Sequence, residues 1–180
     1  ADIKVKNIVI TGFMGTGKST VGKILSEEYG LDFVDTDFLI EEKAGGKKVT
    51  EIFDEYGEAY FRSLEKEVIK DIAAKENTVV ATGGGAIVNS ENLSLLKRRS
   101  AIIICLTARP DTILKRIRNE EGVRPLLKAA DPLKKIEGLL DRRREAYLKA
   151  DVLIDTSDLT PQELAERIKV ILKEKNIGRN

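Results

Sequence analysis

Lys18 and Ser19 close the run Gly12-Phe13-Met14-Gly15-Thr16-Gly17-Lys18-Ser19, which fits the Gly-x-x-x-x-Gly-Lys-Ser pattern of a phosphate-binding P-loop. The residue types dictate the chemistry. Gly12, Gly15 and Gly17 let the backbone turn tightly and approach an anion without side-chain clashes. The backbone from Gly15 through Thr16, Gly17, Lys18, Ser19 and Thr20 then points amides at phosphate oxygens from the start of a helix. Lys18 carries a mobile positive charge for the β- and γ-phosphates, and the Ser19 hydroxyl suits Mg²⁺. The expected ligands are a nucleoside triphosphate and Mg²⁺. The motif does not say what receives the phosphate, or whether water does.

Candidate acceptor chemistry lies further along. Val34-Asp35-Thr36-Asp37 places two carboxylates at the C-terminal end of a strand, the edge that faces the ligand crevice in open parallel sheets. Residues two apart on a strand share a face, so both carboxylates are expected at one site. One would hold Mg²⁺ through water and the other would accept an alcohol proton. As an alternative, Asp37 caps a helix beginning at Phe38. Thr82-Gly83-Gly84-Gly85 follows another strand, and three successive glycines are more than a tight turn needs, which favours a binding surface. Arg143 shares a helical face with Ile136, Leu140 and Tyr147, and an arginine on an apolar stripe needs an anion. Arg62 only flanks the stripe Phe61, Leu64, Val68 and Ile72, so periodicity alone makes it a surface salt-bridge residue. Arg124, held extended by Pro125, is placed to stabilise a transferring phosphoryl.

These residues need a frame. Short apolar runs near 7–11, 32–35, 79–82, 101–106 and 152–155 read as strands, and helical patterns lie near 18–29, 58–75, 89–98, 133–149 and 161–174. The alternation predicts an α/β fold, a parallel sheet with helices on both faces. A single domain over 1–180 is expected, with a substrate-binding region at about 36–62 and a lid at about 115–132.

Composition narrows the chemistry. The 180 residues contain no histidine, which excludes His-based acid–base catalysis, Ser-His-Asp triads and His-ligated metals. Phosphoryl transfer suits the remaining kit of Mg²⁺, Lys, Arg and carboxylates, because it depends on positioning and charge stabilisation. A net charge of +1 implies no general attraction to nucleic acid. A single cysteine, Cys105, cannot form an internal disulfide, and no run reads as a membrane span or signal peptide. A cytoplasmic monomer is expected.

Taken together, GFMGTGKST at 12–20, DTD at 35–37, GEAYFRSLE at 57–65, GGGA at 83–86, RPLL at 124–127, and Arg143 with Tyr147 resemble shikimate kinase over nearly the whole chain. The resemblance implies transfer of the γ-phosphate of ATP to the 3-hydroxyl of shikimate, on an adenylate-kinase-like P-loop fold of three α/β/α layers with strand order 2-3-1-4-5. It implies that Asp37 binds the shikimate hydroxyls and acts as base, and that Arg62 and Arg143 grip the carboxylate. Gly83, Gly84 and Gly85 would line the pocket, and Asp35 with Ser19 would hold Mg²⁺. Lys18 and Arg124 would stabilise the phosphoryl group. This chain departs from the family pattern at Glu145, where proline is usual, in the length of the lid segment 116–123, and in the adenine loop near 155–161. Arg116 and Arg118 remain alternatives for the arginine on adenine. Two other functions stay open: a kinase for another small hydroxy acid such as gluconate, and a nucleotide-dependent switch. The Asn-Lys-x-Asp signal of guanine specificity is lacking.

Overall fold

In the computed structural model, which describes residues 6–98, 100–119 and 125–177, the apolar runs form five parallel strands. They are β1 (Asn7–Gly12), β2 (Asp32–Asp35), β3 (Thr78–Ala81), β4 (Ala101–Thr107) and β5 (Val152–Asp155). Their order in the sheet is β2-β3-β1-β4-β5, as expected. All six residues of β1 are buried, because it pairs with β3 on one side and β4 on the other. Successive strand residues face opposite ways and divide the core in two. Ile8, Ile10, Ile102, Ile104 and Ile154 pack with α1 (Lys18–Tyr29) and α7 (Pro161–Ile177) through Val21, Leu25, Leu164 and Ile168. Val9, Val80, Ile103 and Cys105 face the other way, against α2 (Thr36–Lys43), α3 (Val49–Ala73) and α4 (Ser90–Leu96). A third cluster gathers Phe13, just after β1, with Ile113 and Ile117 of α5 (Pro110–Arg118) and Ile136 of α6 (Pro132–Tyr147).

Three details differ from the sequence reading. The helix expected at 58–75 is the second half of α3, which runs on from Val49 across a non-helical Gly57 at φ 83° and ψ 174°. Residues 110–118 form a helix where none was expected, so the start of the anticipated lid at 115 falls inside α5. Its start signal is Pro110 in the first turn, where a missing N–H costs nothing. Finally, Asp37 caps nothing. The helix begins at Thr36, and its cap is Asp35, whose carboxylate accepts from the amides of Asp37 and Phe38. The two carboxylates converge because a strand ends and a helix starts between them, not because they alternate along a strand. Among the described residues no helix is long and apolar enough to cross a membrane.

Candidate active site

The C-terminal ends of β1, β2 and β3 open into one cavity of about 1030 Å³, reached by residues of α1, α2, α3, α6 and α7. Its floor is the P-loop. Gly12, at φ 132°, presses against the Leu106 carbonyl of β4, so a side chain there would collide with backbone. Gly15 and Gly17 have φ 73° and 90°, the left-handed region that favours glycine. Thr16 turns its hydroxyl inward onto the Phe13 carbonyl at 2.6 Å and is buried, so what it offers a ligand is its backbone. The N-cap of α1, Gly17, supplies no side-chain cap, which leaves the helix end to an anion. Lys18 curls back over the loop and donates to the Gly12 and Phe13 carbonyls at 2.7 and 3.2 Å. Burial pushes its pKa down from 10.5 to about 8; Asp37 and Asp35 oppose the shift, and Arg143 adds to it.

The carboxylates do separate jobs. Asp35 accepts from Ser19 Oγ at 2.8 Å through one oxygen and caps α2 through the other. Asp37 Oδ1 is buried and has no hydrogen-bond partner among the described residues. Burial, and then the nearby Asp35 charge, push the Asp37 carboxyl above its ordinary range, against the pull of Lys18. A buried acceptor left unpaired is costly and marks a place for a donor.

The three glycines of residues 83–85 have a purpose the sequence did not disclose. None has positive φ, so backbone freedom is not what they supply. A methyl carbon at Gly83 would stand 2.8 Å from Asp37 Oδ1. At Gly84 it would stand 2.8 Å from Arg143 Nη1, and at Gly85 2.5 Å from Arg62 Nη2. Each glycine makes room for one of the three charged side chains singled out from sequence. The turn is fixed from below, since the Gly83 amide donates to Thr36 Oγ1 at 3.0 Å and the Thr82 hydroxyl bonds that of Thr11 at 2.9 Å.

Arg62 is therefore no mere surface residue. Its Nη1 donates to both oxygens of Glu65, at 2.9 and 3.2 Å, and its Nη2 lies 3.5 Å from the exposed Glu58. Glu65 has a side chain only 1% exposed, and burial raises its pKa, offset by Arg62. Sequence reasoning assigned Glu65 no role, although a glutamate four residues after Phe61 on the buried stripe was a readable signal. Arg143 stacks its guanidinium 5.4 Å from the Phe13 ring centroid, and among the described residues no carboxylate pairs with it. Arg142 and Arg144 are exposed, as expected, and so is Glu145.

At the far end of the cavity, Arg116 donates to the Gly15 carbonyl at 3.0 Å, to Thr156 Oγ1 at 3.0 Å and to the Thr156 carbonyl at 2.6 Å. It lines the cavity beside Leu159, Pro161 and Leu164, whereas Arg118 is exposed and does not. Arg124 lies outside the described residues.

Known proteins resemble this chain over most of its length. The family model for shikimate kinase matches residues 14–173. A shikimate kinase of Thermodesulfovibrio yellowstonii is 47% identical over 164 residues, covering 91% of this chain and 93% of that protein. The solved structure of shikimate kinase from Acinetobacter baumannii in complex with shikimate has a TM-score of 0.87 at 36% identity, covering 96% of each chain. A gluconokinase from Sinorhizobium meliloti has a TM-score of 0.62 at 16% identity over 98% of this chain and 97% of its own, a likeness of fold alone.

The lowered pKa of Lys18 has a measurable consequence. Between about 8 and its ordinary 10.5, part of the protein holds Lys18 neutral. A polyphosphate beside it favours the charged form, so nucleotide binding at about pH 9 takes up a proton. Calorimetry in two buffers of different ionisation heat should give different binding enthalpies, in the sense of proton uptake. Equal heats in the two buffers would contradict the lowered value.

Proposed function

This chain belongs to the shikimate kinase family, and we propose that its cavity transfers the γ-phosphate of ATP to the 3-hydroxyl of shikimate. The products are shikimate 3-phosphate and ADP, a step of aromatic amino acid biosynthesis. One observation carries the reading. Two arginines and a buried, unpartnered carboxylate oxygen surround a side-chain-free turn in the same cavity as Lys18. That set matches a small acid bearing hydroxyl groups: Arg143, paired with no carboxylate among the described residues, and Arg62 take the carboxylate, and Asp37 accepts from a hydroxyl. Gly83, Gly84 and Gly85 let the ring approach the backbone between them.

The nucleotide lies across the P-loop, with its phosphates on the amides from Gly15 to Thr20 and on Lys18. Arg116, rather than Arg118, contacts the adenine, because it already lines the apolar end beside Leu159, Pro161 and Leu164. The Ser19 hydroxyl and Asp35 carboxylate, 2.8 Å apart, fit Mg²⁺, a hard cation that takes one or two protein oxygens and fills its remaining sites with water and phosphate. Bound there, Mg²⁺ would neutralise phosphate charge. Asp37 orients the acceptor hydroxyl in line and takes its proton late, since a loose transition state demands little base strength. Arg124 stabilises the phosphoryl group, a role that rests on its sequence motif. Cys105 is buried, and its thiol, pushed up to about 12 by burial, takes no part. The enzyme is read as a monomer of the cytoplasm.

A coupled assay of ADP release across shikimate, quinate and gluconate tests the assignment, and shikimate should be strongly preferred. Release indifferent to all three acids would favour a nucleotide switch, and preference for gluconate the alternative kinase. Arg62→Ala and Arg143→Ala should each raise KM for shikimate at least about tenfold, given the worth of a charged hydrogen-bonded pair, and leave KM for ATP nearly unchanged. Equal loss for both substrates would count against the carboxylate role.

Asp37 sets the pH dependence. Its carboxyl is raised, and the reaction needs it ionised, so kcat/KM should climb with pH through a limb lying above the ordinary carboxylate range. Asp37→Asn should remove that limb and lower kcat by about a hundredfold or more. A limb that survives the substitution would assign it elsewhere.

A further inference from the structure

The three-glycine turn is anchored on the side of α6 by one side chain with no part in the reaction described so far. Tyr147 lies one helical turn beyond Arg143 on the same face of α6, and it is buried. Its hydroxyl donates to the Gly84 carbonyl at 2.7 Å. Gly84 is also where the two halves of the site meet. A methyl carbon on it would stand 2.8 Å from Arg143 Nη1 and 3.2 Å from the Gly12 carbonyl, the same carbonyl that accepts from Lys18 Nζ. The order of contacts is thus Tyr147 hydroxyl, Gly84, Gly12 and Lys18, with Arg143 against the middle of the turn. From this geometry we infer that Tyr147 is a positioning residue. Its hydroxyl pins the glycine turn to α6 and so fixes where the Arg143 guanidinium stands relative to Lys18.

The chemistry fits a permanent latch. Burial pushes the phenol up to about 12, so it stays a donor across the working pH range. One helix carries both the latch and the arginine, so any shift of α6 moves the two together. Without the hydroxyl, the Gly84 carbonyl loses its donor, while the Thr36 and Thr82 bonds at the β3 end remain, as do the bonds from the Ala86 and Val88 amides to the Gly83 and Gly85 carbonyls. The Arg143 side then relaxes while the Asp37 side stays in place. The inference rests on reading Arg143 as the partner of the substrate carboxylate.

The test is a double-mutant cycle on the intact protein. Tyr147→Phe keeps the ring in the core and removes only the hydroxyl, with its bond to the Gly84 carbonyl and its contact with Arg143. It should raise KM for shikimate about fivefold, the worth of one such hydrogen bond, with KM for ATP within about twofold of the parent. In an Arg143→Ala background the same substitution should add almost nothing to the shikimate KM, because the group it positions is gone. A purely structural role would lower the melting temperature, weaken both substrates alike and add its full effect in the Arg143→Ala background, and that pattern overturns the inference. If Arg143→Ala itself leaves the shikimate KM unchanged, the carboxylate reading fails first. If Arg143→Ala raises it and Tyr147→Phe does not, only the positioning role fails. Should Tyr147→Phe prove poorly folded, Tyr147→Trp, whose ring N–H is also a donor, gives the second arm: a shikimate KM within about twofold of the parent supports the latch, and one raised about fivefold or more contradicts it.

Discussion

Residues 83–85 carry no side chains because the space where those side chains would stand is already filled by Asp37, Arg143 and Arg62. This exclusion is the constraint on which the site depends. The three charged groups come from the consecutive helices α2 and α3 and the distant α6, and converge at the end of β3. The strand order puts β3 beside β1, so the turn also touches Gly12, where the P-loop begins. On the proposed reading, the acceptor and donor halves of the reaction are joined through backbone, the stiffest material available, rather than through flexible side chains. A rigid joint suits phosphoryl transfer, in which misplacement of the reacting groups costs rate directly.

The electrostatics of the cavity follow from the same crowding. Lys18 and Asp37 are drawn out of water together, and burial pushes each toward its neutral form, the lysine down and the carboxyl up. Each partly restores the charge of the other, while Arg143 opposes Lys18 and Asp35 opposes Asp37. Among the described residues, Asp37 Oδ1 has no donor and Arg143 has no carboxylate. On the proposed reading, substrates carrying a phosphate, a hydroxyl and a carboxylate supply what is missing, so binding and relief of these costs are one event. Arg62 differs because the buried Glu65 holds one of its nitrogens, which fixes its direction and leaves the other facing the cavity beside Glu58.

Local signals were legible in the sequence and long-range ones were not. The P-loop could be read because its glycines, lysine and serine are fixed within eight residues of backbone. The sheet order followed from the family resemblance, and the face of α6 bearing Arg143 followed from its periodicity. The role of Arg62 could not be read from its own helix, because periodicity reports the stripe a residue flanks and not the strand end packed opposite it. The glycine triplet was legible as a site but not in its purpose, since its neighbours lie on three other elements. Asp35 took the cap assigned to Asp37 because a carboxylate reaches amides two and three residues ahead, and Asp35 stands where those of Asp37 and Phe38 are free. Helix α5 was hidden by its charge: Lys115, Arg116 and Arg118 read as a loop, while its buried side is only Ile113 and Ile117.

The spacing role of the turn can be measured directly by calorimetric titration of shikimate into Gly84→Ala and Gly85→Ala, with Gly138→Ala as the control, since a methyl there meets nothing within 4 Å. The methyl at Gly85 meets the flexible end of Arg62 rather than backbone, so that variant should fold normally and bind ATP as the parent does. The account predicts that shikimate affinity falls at least about tenfold in both turn variants, the worth of one misplaced charged hydrogen bond, and is unchanged in the control. Parental shikimate affinity in Gly84→Ala and Gly85→Ala would contradict it.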